Sequence, residues 1–397
     1  MKIAIMGIRG IPANYGGFET FTEELATRLV KKGHEVTVYG RSNNIKYHDK
    51  FYKGVRIRVL PTISHKYFDT VAHTFFCVLD TLIRDFEVIL ICNSANSLFS
   101  FIPRLTRKKV IVNVDGLEWK RDKWNILGKS FYKISEFLST FMPNAIVTDA
   151  EHIRDYYLKK FNKISTFIPY GAPTHRVQTF EVLKRFGLES RKYILYVSRL
   201  EPENNAHLVI KTFEKVKTDL KLVIVGDAPY NTKYIQELKA TNDPRVIFTG
   251  YVFGKGYQEL QSHAYFYVQA TEVGGTHPAL VEGMGFGNCI LANDVPEHRE
   301  VLADCGLYFS SETPGDFRDK IHYLVNHPEL VADFQEKANH RAKEMYSWER
   351  VVQKYENLFS EILKNPLPKN QNDSKLMENK MNNPVQQTLQ RDLKVQK

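Results

Sequence analysis

The chain of 397 residues is poor in cysteine and has no long hydrophobic run. Its four cysteines, Cys77, Cys92, Cys289 and Cys305, form no CxxC pair, and three of them lie in apolar runs where a reduced, buried thiol is expected. No stretch reaches the roughly 18 apolar residues of a membrane span, and the start MKIAIMGIRG turns polar too soon for a signal peptide. These absences predict a cytoplasmic protein without a transmembrane helix.

Several familiar ligand motifs are also missing. The thirteen histidines show neither HExxH nor a paired metal spacing, so we expect no metal site. The N-terminal glycines do not spell GxGxxG in frame, and no GK[ST] is present, which argues against dinucleotide and ATP sites. We therefore expect no cofactor. A ligand that releases a diphosphate would not need one, because arginine, helix N-termini and backbone amides can stabilise that leaving group.

The net charge of +10 lies entirely in the first part of the chain. Residues 1–170 hold 26 Lys+Arg against 16 Asp+Glu, whereas residues 171–397 hold 29 of each. Such a basic region suits nucleic acid, an anionic membrane or a phosphorylated substrate. Basic clusters at 104–109 (RLTRKK) and 120–123 (KRDK) adjoin the apolar stretch 124–141, which favours a membrane surface over nucleic acid. A core helix with a solvated basic face is the alternative.

The order of apolar runs indicates the fold class. Short strand-like runs alternate with helical patterns, first over 2–148 and again over 193–293, as in α/β proteins with parallel sheets. We predict two doubly wound Rossmann-like domains, 1–170 joined by the last helix (348–363) and 171–347, with a linker near 168–175 and a ligand cleft between them. Residues 365–397 are polar and poor in aromatics, which predicts a disordered tail.

Residues 271–287 (TEVGGTHPALVEGMGFG) are the most informative stretch. A strand, a Gly-Gly loop and a helix beginning at Pro278 follow in order, so the loop of Gly274, Gly275, Thr276 and His277 would present backbone amides to an anion. Glu282, just inside that helix, suits a pair of ribose hydroxyls. The alternative is a plain turn with a solvated glutamate.

Two further loops follow strands and point to the same cleft. Gly16 and Gly17 precede the first helix, where a diphosphate or an acceptor could approach, or where they form only a tight turn. Arg199, in SRLEPENN, could hold a diphosphate and stabilise the departing nucleotide, or pair with Glu201 or Glu203.

Acidic, aromatic and basic residues meet in VNVDGLEWKRDKW. Asp115 ends a strand and could orient an acceptor hydroxyl, or could be a bare Asp-Gly turn. The neighbouring Glu118, Trp119, Lys120 and Arg121 suit a sugar attached to phosphate.

Taken together, the YGGFET, VDGLEWKRDKW, SRLEPENN and GGTHPALVEGMGFG segments resemble the family 4 retaining glycosyltransferases of GT-B architecture. The resemblance covers about residues 1–362 and is closest to bacterial rhamnosyltransferases of capsule and cell-wall polysaccharide synthesis. It implies a nucleotide sugar held by the second domain, an acceptor held by the first, and metal-independent transfer. Arg199 matches the family's diphosphate-binding arginine and Glu282 its ribose-binding glutamate, and Asp115 matches an acid of the DGLEW element.

Two positions depart from the family's general pattern. Asn204 stands where a lysine is usual, and Gly274 stands where a glutamate usually contacts donor-sugar hydroxyls. The second change argues against glucose-type and mannose-type donors, and the GGTHP form favours dTDP-rhamnose.

The resulting prediction is a hexosyltransferase on the inner face of the plasma membrane that moves L-rhamnose onto a lipid-diphosphate-linked saccharide. Asp115 and Arg199 are its expected catalytic residues, and Asn204 is included in the donor site. The alternatives are a UDP-sugar transferase of the same fold and a non-catalytic subunit that binds sugar nucleotides. An oxidoreductase is disfavoured by the missing GxGxxG.

Overall fold

Two parallel sheets carry the fold, and both grow from short runs of buried apolar residues. The computed structural model describes residues 1–13, 16–65, 68–120, 124–228, 232–272 and 276–364, so the predicted tail at 365–397 lies outside the described residues. In the first strand, Ile3 and Ile5 enter one core cluster while Ala4 and Met6 enter another. This alternation shows that both faces of the sheet are covered.

The first sheet has eight strands. They are β1 (Lys2–Met6), β2 (Glu35–Arg41), β3 (Phe51–Tyr52), β4 (Val55–Leu60), β5 (Val88–Cys92), β6 (Lys109–Asn113), β7 (Ala145–Thr148) and β8 (Thr166–Phe167). Their spatial order is β3-β4-β2-β1-β5-β6-β7-β8, and only β3 runs antiparallel to its neighbour. The helices between them are α1 (Gly17–Lys31), α2 (Asp69–Leu82), α3 (Ile126–Ser139) and α4 (Glu151–Phe161).

The second sheet has six strands, all parallel. The strands are β9 (Tyr193–Val197), β10 (Lys221–Val225), β11 (Val246–Gly250), β12 (Phe266–Gln269), β13 (Cys289–Asn293) and β14 (Leu307–Phe309), in the order β11-β10-β9-β12-β13-β14. The helices are α5 (Glu181–Arg185), α6 (Ala206–Phe213), α7 (Thr232–Lys239), α8 (Gly254–His263), α9 (Pro278–Gly285), α10 (Pro296–Leu302), α11 (Asp316–Asn326), α12 (Pro328–Met345) and α13 (Trp348–Lys364). Four 3₁₀ turns complete the described elements, at Ser94–Phe99, Pro103–Thr106, Glu118–Lys120 and Pro202–Asn204.

Both sheets have the strand order of a doubly wound fold. In each, the chain starts at a central strand, β1 or β9, builds outward on one side and then crosses to the other, at β5 or β12. Ligands of such sheets bind at the carboxyl ends of the strands beside this switch point. The predicted class of two Rossmann-like α/β domains in a GT-B arrangement is confirmed.

The last helix returns to the first sheet. Val351, Tyr355 and Phe359 of α13 enter the core cluster that contains Phe21 of α1, and Asn113 Nδ2 donates to Tyr355 Oη at 3.0 Å. We use "N-terminal half" for β1–β8 with α1–α4 and α13, and "C-terminal half" for β9–β14 with α5–α12. The domain limits at 170/171 and 347/348 stay predictions.

Two chain segments, one at Ala172 and one at Ser347, run side by side between the halves. Ala172 N–H donates to Tyr346 O at 2.7 Å, and Ala172 bridges Ser347 in parallel fashion. Gly171 lies against the Trp348 indole so closely that a Cβ would be 2.4 Å from a ring atom. The predicted linker near 168–175 is therefore packed tightly against the return of the chain.

All four cysteines are free and buried. Burial is the first cause that raises the pKa of each of these thiols. The expectation of reduced, buried cysteines agrees with this placement.

Candidate functional site

The carboxyl edges of the two sheets meet at two contacts. Gly17, at the start of α1, lies against Pro278, at the start of α9, and a Cβ on Gly17 would be 2.8 Å from Pro278 Cγ. Thr276 N–H donates to Asp149 Oδ2 at 3.0 Å, which joins the loop before α9 to the end of β7. The loops that follow β1, β7 and β12 therefore share one cleft.

Gly16 and Gly17, called the glycine loop below, bring one helix N-terminus to this cleft. Gly16 is the extended N-cap residue of α1, and no side chain caps the helix there. The close approach of Pro278 requires a residue without Cβ at position 17, since a methyl group would overlap the proline ring. The N-termini of α1 and α9 therefore lie side by side, and their dipoles give this edge a positive potential.

Glu282 is buried in α9 and held by a relay of hydrogen bonds. Tyr257 Oη donates to Glu282 Oε2 at 2.6 Å, and Gln261 Nε2 donates to Tyr257 Oη at 2.9 Å. Asn288 Nδ2 in turn donates to Gln261 Oε1 at 2.9 Å. Burial raises the pKa of Glu282 to about 7, while the Tyr257 hydrogen bond opposes the rise. Glu282 is thus an oriented, partly desolvated carboxylate and not a solvated helix residue.

Arg199 lies beside the switch point of the second sheet. Tyr196 of β9 pairs with Val268 of β12, so Arg199 and Thr271 come at equivalent positions, three residues beyond that pair. The Arg199 side chain is half-buried, and the structure gives its guanidinium no hydrogen bond or ion pair with any described residue. Among the described residues, no ion pair joins this guanidinium to Glu201 or Glu203, and its contact with a diphosphate stays a prediction.

Asn204 supports the loop that carries Arg199. Its side-chain Nδ2 donates to Arg199 O at 2.8 Å, and its own carbonyl accepts from Tyr196 Oη at 2.6 Å. The buried amide is thus already committed to the backbone. Asn204 holds the shape of this loop, whereas its predicted contact with the donor stays a prediction.

The loop between β12 and α9, residues 270–277, is called the donor loop below. Its residues 273–275, and with them the predicted contacts of Gly274 and Gly275, lie outside the described residues. His277 Nε2 lies 3.2 Å from Thr271 Oγ1, and Thr271 Oγ1 lies 3.2 Å from His298 Nε2.

The protonation of these groups follows from their partners. Burial lowers the pKa of His298 to about 4, so this imidazole is neutral, and its Nδ1–H donates to Asn293 O at 2.8 Å. His298 Nε2 must then accept the Thr271 hydroxyl proton. The Thr271 oxygen consequently accepts from His277 Nε2–H, as it does from Gln269 Nε2 at 2.6 Å. His277 is thereby fixed in orientation at the entrance to α9.

Asp115 reaches the cleft from the N-terminal half. It adopts a left-handed backbone conformation, with φ of 56°, directly after β6, and its N–H donates to Asn113 Oδ1 at 3.2 Å. Tyr170 Oη donates to Asp115 Oδ1 at 3.5 Å. The carboxylate is only partly buried, so it lies at the cleft surface.

The residues after Asp115 form a basic and aromatic cluster. Trp119 Nε1 donates to the buried Glu136 Oε2 at 2.8 Å, which fixes the indole against α3. Lys133 Nζ lies 4.9 Å from the Trp119 ring centroid and Lys120 Nζ lies 6.0 Å from it. Glu118 is buried and accepts from Trp124 Nε1 at 3.4 Å. Arg121 is outside the described residues.

Helix α3 is inverted with respect to an ordinary surface helix. It buries Gly128, Ser135, Glu136 and Ser139, whereas four of its large apolar side chains face outward. Ile126 is 83% exposed and Leu127 is 78% exposed, and the exposed Ile134 and Phe137 continue the stripe at helical spacing. Soluble helices place such a stripe in the core.

Helix α2 shows the same inversion. It buries polar residues that include His73, Thr74 and Thr81, and exposes Phe75, Phe76 and Leu79, with Ile83 84% exposed just after it. Both helices pack on the 3₁₀ turn Ser94–Phe99, and α2 also contacts Pro103–Thr106, in which Leu105 is 74% exposed. We call the outward sides of α2, α3 and the 3₁₀ turn Pro103–Thr106 the apolar face. Among the described residues, no helix is long and apolar enough to cross a bilayer.

Several site residues escaped the sequence analysis. Tyr257 and Gln261 lie 25 and 21 positions before Glu282, and nothing in their local pattern marks them. Asp149 did carry a signal, because it follows a buried strand directly, as Asp115 does. Among the described residues, no group of three or more His, Cys, Asp or Glu side chains is arranged to hold a metal ion.

Two family models match the chain, one on each side of the cleft. Residues 180–341 match "Glycosyl transferases group 1", and residues 1–173 match a domain of unknown function, DUF1972. The first model covers the donor loop, Arg199 and Glu282. The second covers the glycine loop, Asp115 and the apolar face.

Curated relatives of the chain are also named as glycosyltransferases. The chain is 25% identical, over 71% of its length, to a poly(ribitol-phosphate) alpha-N-acetylglucosaminyltransferase of Staphylococcus aureus. Over 38% of its length it is 26% identical to an N-acetylgalactosamine-N,N'-diacetylbacillosaminyl-diphospho-undecaprenol 4-alpha-N-acetylgalactosaminyltransferase of Campylobacter jejuni. These alignments span 57% and 42% of the two relatives.

The fold is also that of a protein solved with nucleotide. Anabaena HepE in complex with UDP and glucose superposes with a TM-score of 0.75 and 13% identity, covering 91% of this chain and 99% of HepE. The family model and both relatives are thus named for glycosyltransferases, and the architecture is the GT-B fold.

Proposed function

We propose that this GT-B protein is a retaining glycosyltransferase that moves L-rhamnose from dTDP-L-rhamnose onto a lipid-diphosphate-linked saccharide at the cytoplasmic membrane surface. The observation that carries the proposal is the contact of Gly17 with Pro278. It sets two helix N-termini together at the carboxyl edges of both sheets, with Glu282 and Arg199 on one side and Asp115 on the other.

The C-terminal half supplies the donor contacts. The half-buried Arg199 guanidinium and the N-termini of α1 and α9 provide positive charge for the diphosphate. Glu282, held by Tyr257, offers a carboxylate to the ribose hydroxyls. Thr276 and His277 of the donor loop then lie between these groups and the N-terminal half.

The N-terminal half supports a lipid-linked acceptor. The apolar face suits the boundary between headgroups and acyl chains, and the surplus of positive charge in residues 1–170 suits an anionic surface. Helix α3 of this face is hydrogen-bonded to Trp119, which follows Asp115 closely in the chain. The Campylobacter relative is named for a diphospho-undecaprenol acceptor, which supports the same class of substrate here.

The chemistry that we propose is a front-face displacement. The acceptor hydroxyl attacks the anomeric carbon from the side of the departing diphosphate, so that the new C–O bond forms as the C–O bond to phosphate breaks. The leaving phosphate takes the acceptor proton, while Arg199 and the helix N-termini stabilise its negative charge. Asp115 orients the acceptor hydroxyl, and no metal takes part in this scheme.

The identity of the donor sugar is the most specific part of the proposal. Rhamnose is favoured because Gly274 stands where the family usually has a sugar-binding glutamate. A UDP-sugar is the second candidate, since HepE was solved with UDP and the Staphylococcus relative is named as an N-acetylglucosaminyltransferase.

A donor screen separates these candidates. The purified full chain is incubated with a synthetic lipid-diphosphate saccharide and dTDP-rhamnose, UDP-glucose, UDP-GlcNAc or GDP-mannose, and the product is identified by mass spectrometry. We expect transfer from dTDP-rhamnose. Transfer from a UDP-sugar alone would establish the second candidate, and binding of a donor without hydrolysis or transfer would indicate the non-catalytic subunit.

The role of Asp115 is tested with the active donor. Asp115→Ala should abolish transfer while leaving the melting temperature and donor binding near those of the wild type, because Asp115 lies on the acceptor side. Asp155→Ala, which removes an exposed carboxylate of α4, is the matched control. Full turnover by Asp115→Ala would remove this residue from the site.

A further inference from the structure

Asp149 connects the two halves at the point where the donor loop enters α9. It is the first residue after β7 and is only 1% exposed. Its Oδ2 accepts from Thr276 N–H at 3.0 Å, and its main-chain carbonyl accepts from Thr276 Oγ1 at 2.7 Å. One residue of the N-terminal half therefore satisfies both donors of Thr276.

Asp115 is the neighbour of Asp149 on the first sheet. Asn113 of β6 pairs with Val147 of β7, so Asp115 and Asp149 stand at equivalent positions two residues beyond that pair. Asp149 Oδ1 is buried and has no hydrogen-bond partner among the described residues. A buried carboxylate with one oxygen unpaired beside a second acid is costly, whereas a neutral carboxylic acid avoids that cost.

We propose that Asp149 is a positioning residue of the transfer reaction, which holds Thr276 and thereby fixes the start of α9 against the N-terminal half. This inference rests on the proposed function for its effect on transfer, but the contact itself does not. We call the pair of hydrogen bonds between Asp149 and Thr276 the loop latch.

The surroundings of Asp149 favour its neutral form. Burial raises the pKa of Asp149 well above its ordinary value, and the charges of Asp115 and Glu300 raise it further. The phenols of Tyr170 and Tyr355 also face it, and they too are kept neutral by burial. Hydrogen bonding, and not a negative charge, therefore makes the latch.

The latch affects the reaction by setting the distance between the bound donor and the acceptor. Thr276 is followed by His277 and Pro278, and Pro278 touches Gly17. The position of Thr276 thus sets the start of α9, and with it the separation between the bound donor and the acceptor at Asp115. Small errors in such a separation reduce the rate of transfer strongly.

A second link between the halves provides a matched control. Glu300 of α10 accepts from His152 N–H at 3.0 Å and from His152 Nδ1 at 2.9 Å, at the start of α4. This link lies only three residues from Asp149 but does not touch Thr276. Glu300→Ala therefore weakens the contact between the halves and keeps both hydrogen bonds to Thr276, while removing one charge that raises the pKa of Asp149.

The experiment combines hydrogen–deuterium exchange of the full chain with kinetics. We expect Asp149→Ala to raise exchange at least about fivefold in the peptide containing Thr276. In Asp149→Asn, whose amide oxygen still accepts from Thr276, that exchange should stay within about twofold of the wild type. Glu300→Ala should raise exchange near His152 only.

Transfer kinetics give the second readout. Asp149→Ala should lower kcat about tenfold or more, and Asp149→Asn should restore most of it. Unchanged exchange at Thr276 in Asp149→Ala would overturn the latch, and an asparagine variant as impaired as the alanine variant would overturn its neutral character. If Asp149→Ala does not fold, Thr276→Val, which removes one of the two bonds, replaces it with the same expectations. If the wild type transfers no sugar, the proposed function fails while the exchange experiment still decides the latch.

Discussion

Helices α2 and α3 of the N-terminal half place their apolar side chains differently from α6 of the C-terminal half. In the C-terminal half, α6 buries Ala206, Val209, Ile210 and Phe213 in an ordinary core. In the N-terminal half, α3 buries small or polar residues, α2 buries Cys77 and Val78 beside three polar residues, and both helices expose large apolar side chains. Since both halves have the same doubly wound topology, the fold does not require this difference.

Under the proposed function, the source of each substrate explains this difference. A half that binds a soluble nucleotide sugar needs charged groups in a cleft and an ordinary polar surface. A half that takes its substrate from a membrane gains from an apolar surface next to its site, and a contiguous exposed apolar patch is otherwise rare on monomeric proteins. The contrast can be tested on either side.

The apolar face should show the largest effect. We expect the double change Ile126→Glu, Leu127→Glu to lower the affinity for phosphatidylglycerol-rich vesicles by about a hundredfold or more, because each buried apolar side chain contributes roughly 1.5–3 kcal/mol. Sedimentation with vesicles measures it. Phe180→Glu, at an exposed apolar position of the C-terminal half, is the control and should bind as the wild type does. Equal losses in both variants would contradict the contrast between the halves.

Glu282 should give the next largest effect, on the donor side. Glu282→Ala is expected to weaken nucleotide-sugar binding by about 10- to 150-fold, as charge-assisted hydrogen bonds contribute about 1.5–3 kcal/mol. Isothermal titration measures this, with Glu329→Ala on the exposed side of α12 as the control. Vesicle binding should not change. A donor affinity equal to that of the wild type would exclude Glu282 from the ribose contact.

Donor binding should also depend on pH through Glu282. Its pKa of about 7 means that the carboxylate is lost as the pH falls below 7, so donor Kd should rise by up to about tenfold per pH unit there. Glu282→Gln should remove this dependence. Because the raised pKa penalises the buried carboxylate, the same group makes the free protein less stable as the pH rises from 4.5 through 7. Melting curves should therefore show the opposite trend to donor affinity.

Asn204 should give the smallest effect. Asn204→Ala removes the hydrogen bond to Arg199 O, which is worth about 0.5–1.5 kcal/mol, so kcat/KM should fall about two- to tenfold. Asn326→Ala, at the exposed end of α11, is the control. A loss as large as that of Arg199→Ala would instead indicate that Asn204 touches the donor.

Much of the fold could be predicted from local pattern. The bounds of β4, β5, β7 and β9 agree with the apolar runs at 55–60, 88–92, 145–148 and 193–197, because buried parallel strands are continuous apolar runs between polar turns. The short strands β3, β8 and β14 were not predicted, since two or three residues form no pattern of their own.

The site was predictable only in part. Arg199, Glu282 and Asp115 follow strands or enter helices, and such positions are visible along the chain. Asp149 depends on Thr276, which is 127 residues away, and Glu282 depends on Tyr257 on another helix. These contacts arise from the packing of distant segments, which local pattern does not record. The inversion of α3 likewise becomes visible only when its buried side is known.

The burial of all four cysteines leaves no native thiol exposed. Since the native thiols are buried and resist ionisation, maleimide reagents should not modify them under native conditions. A single cysteine introduced at position 126 or 180 would therefore carry a fluorophore alone, without prior removal of the native ones. The wild-type chain is thus a ready background for measuring, by emission shift and quenching depth, which half enters a bilayer.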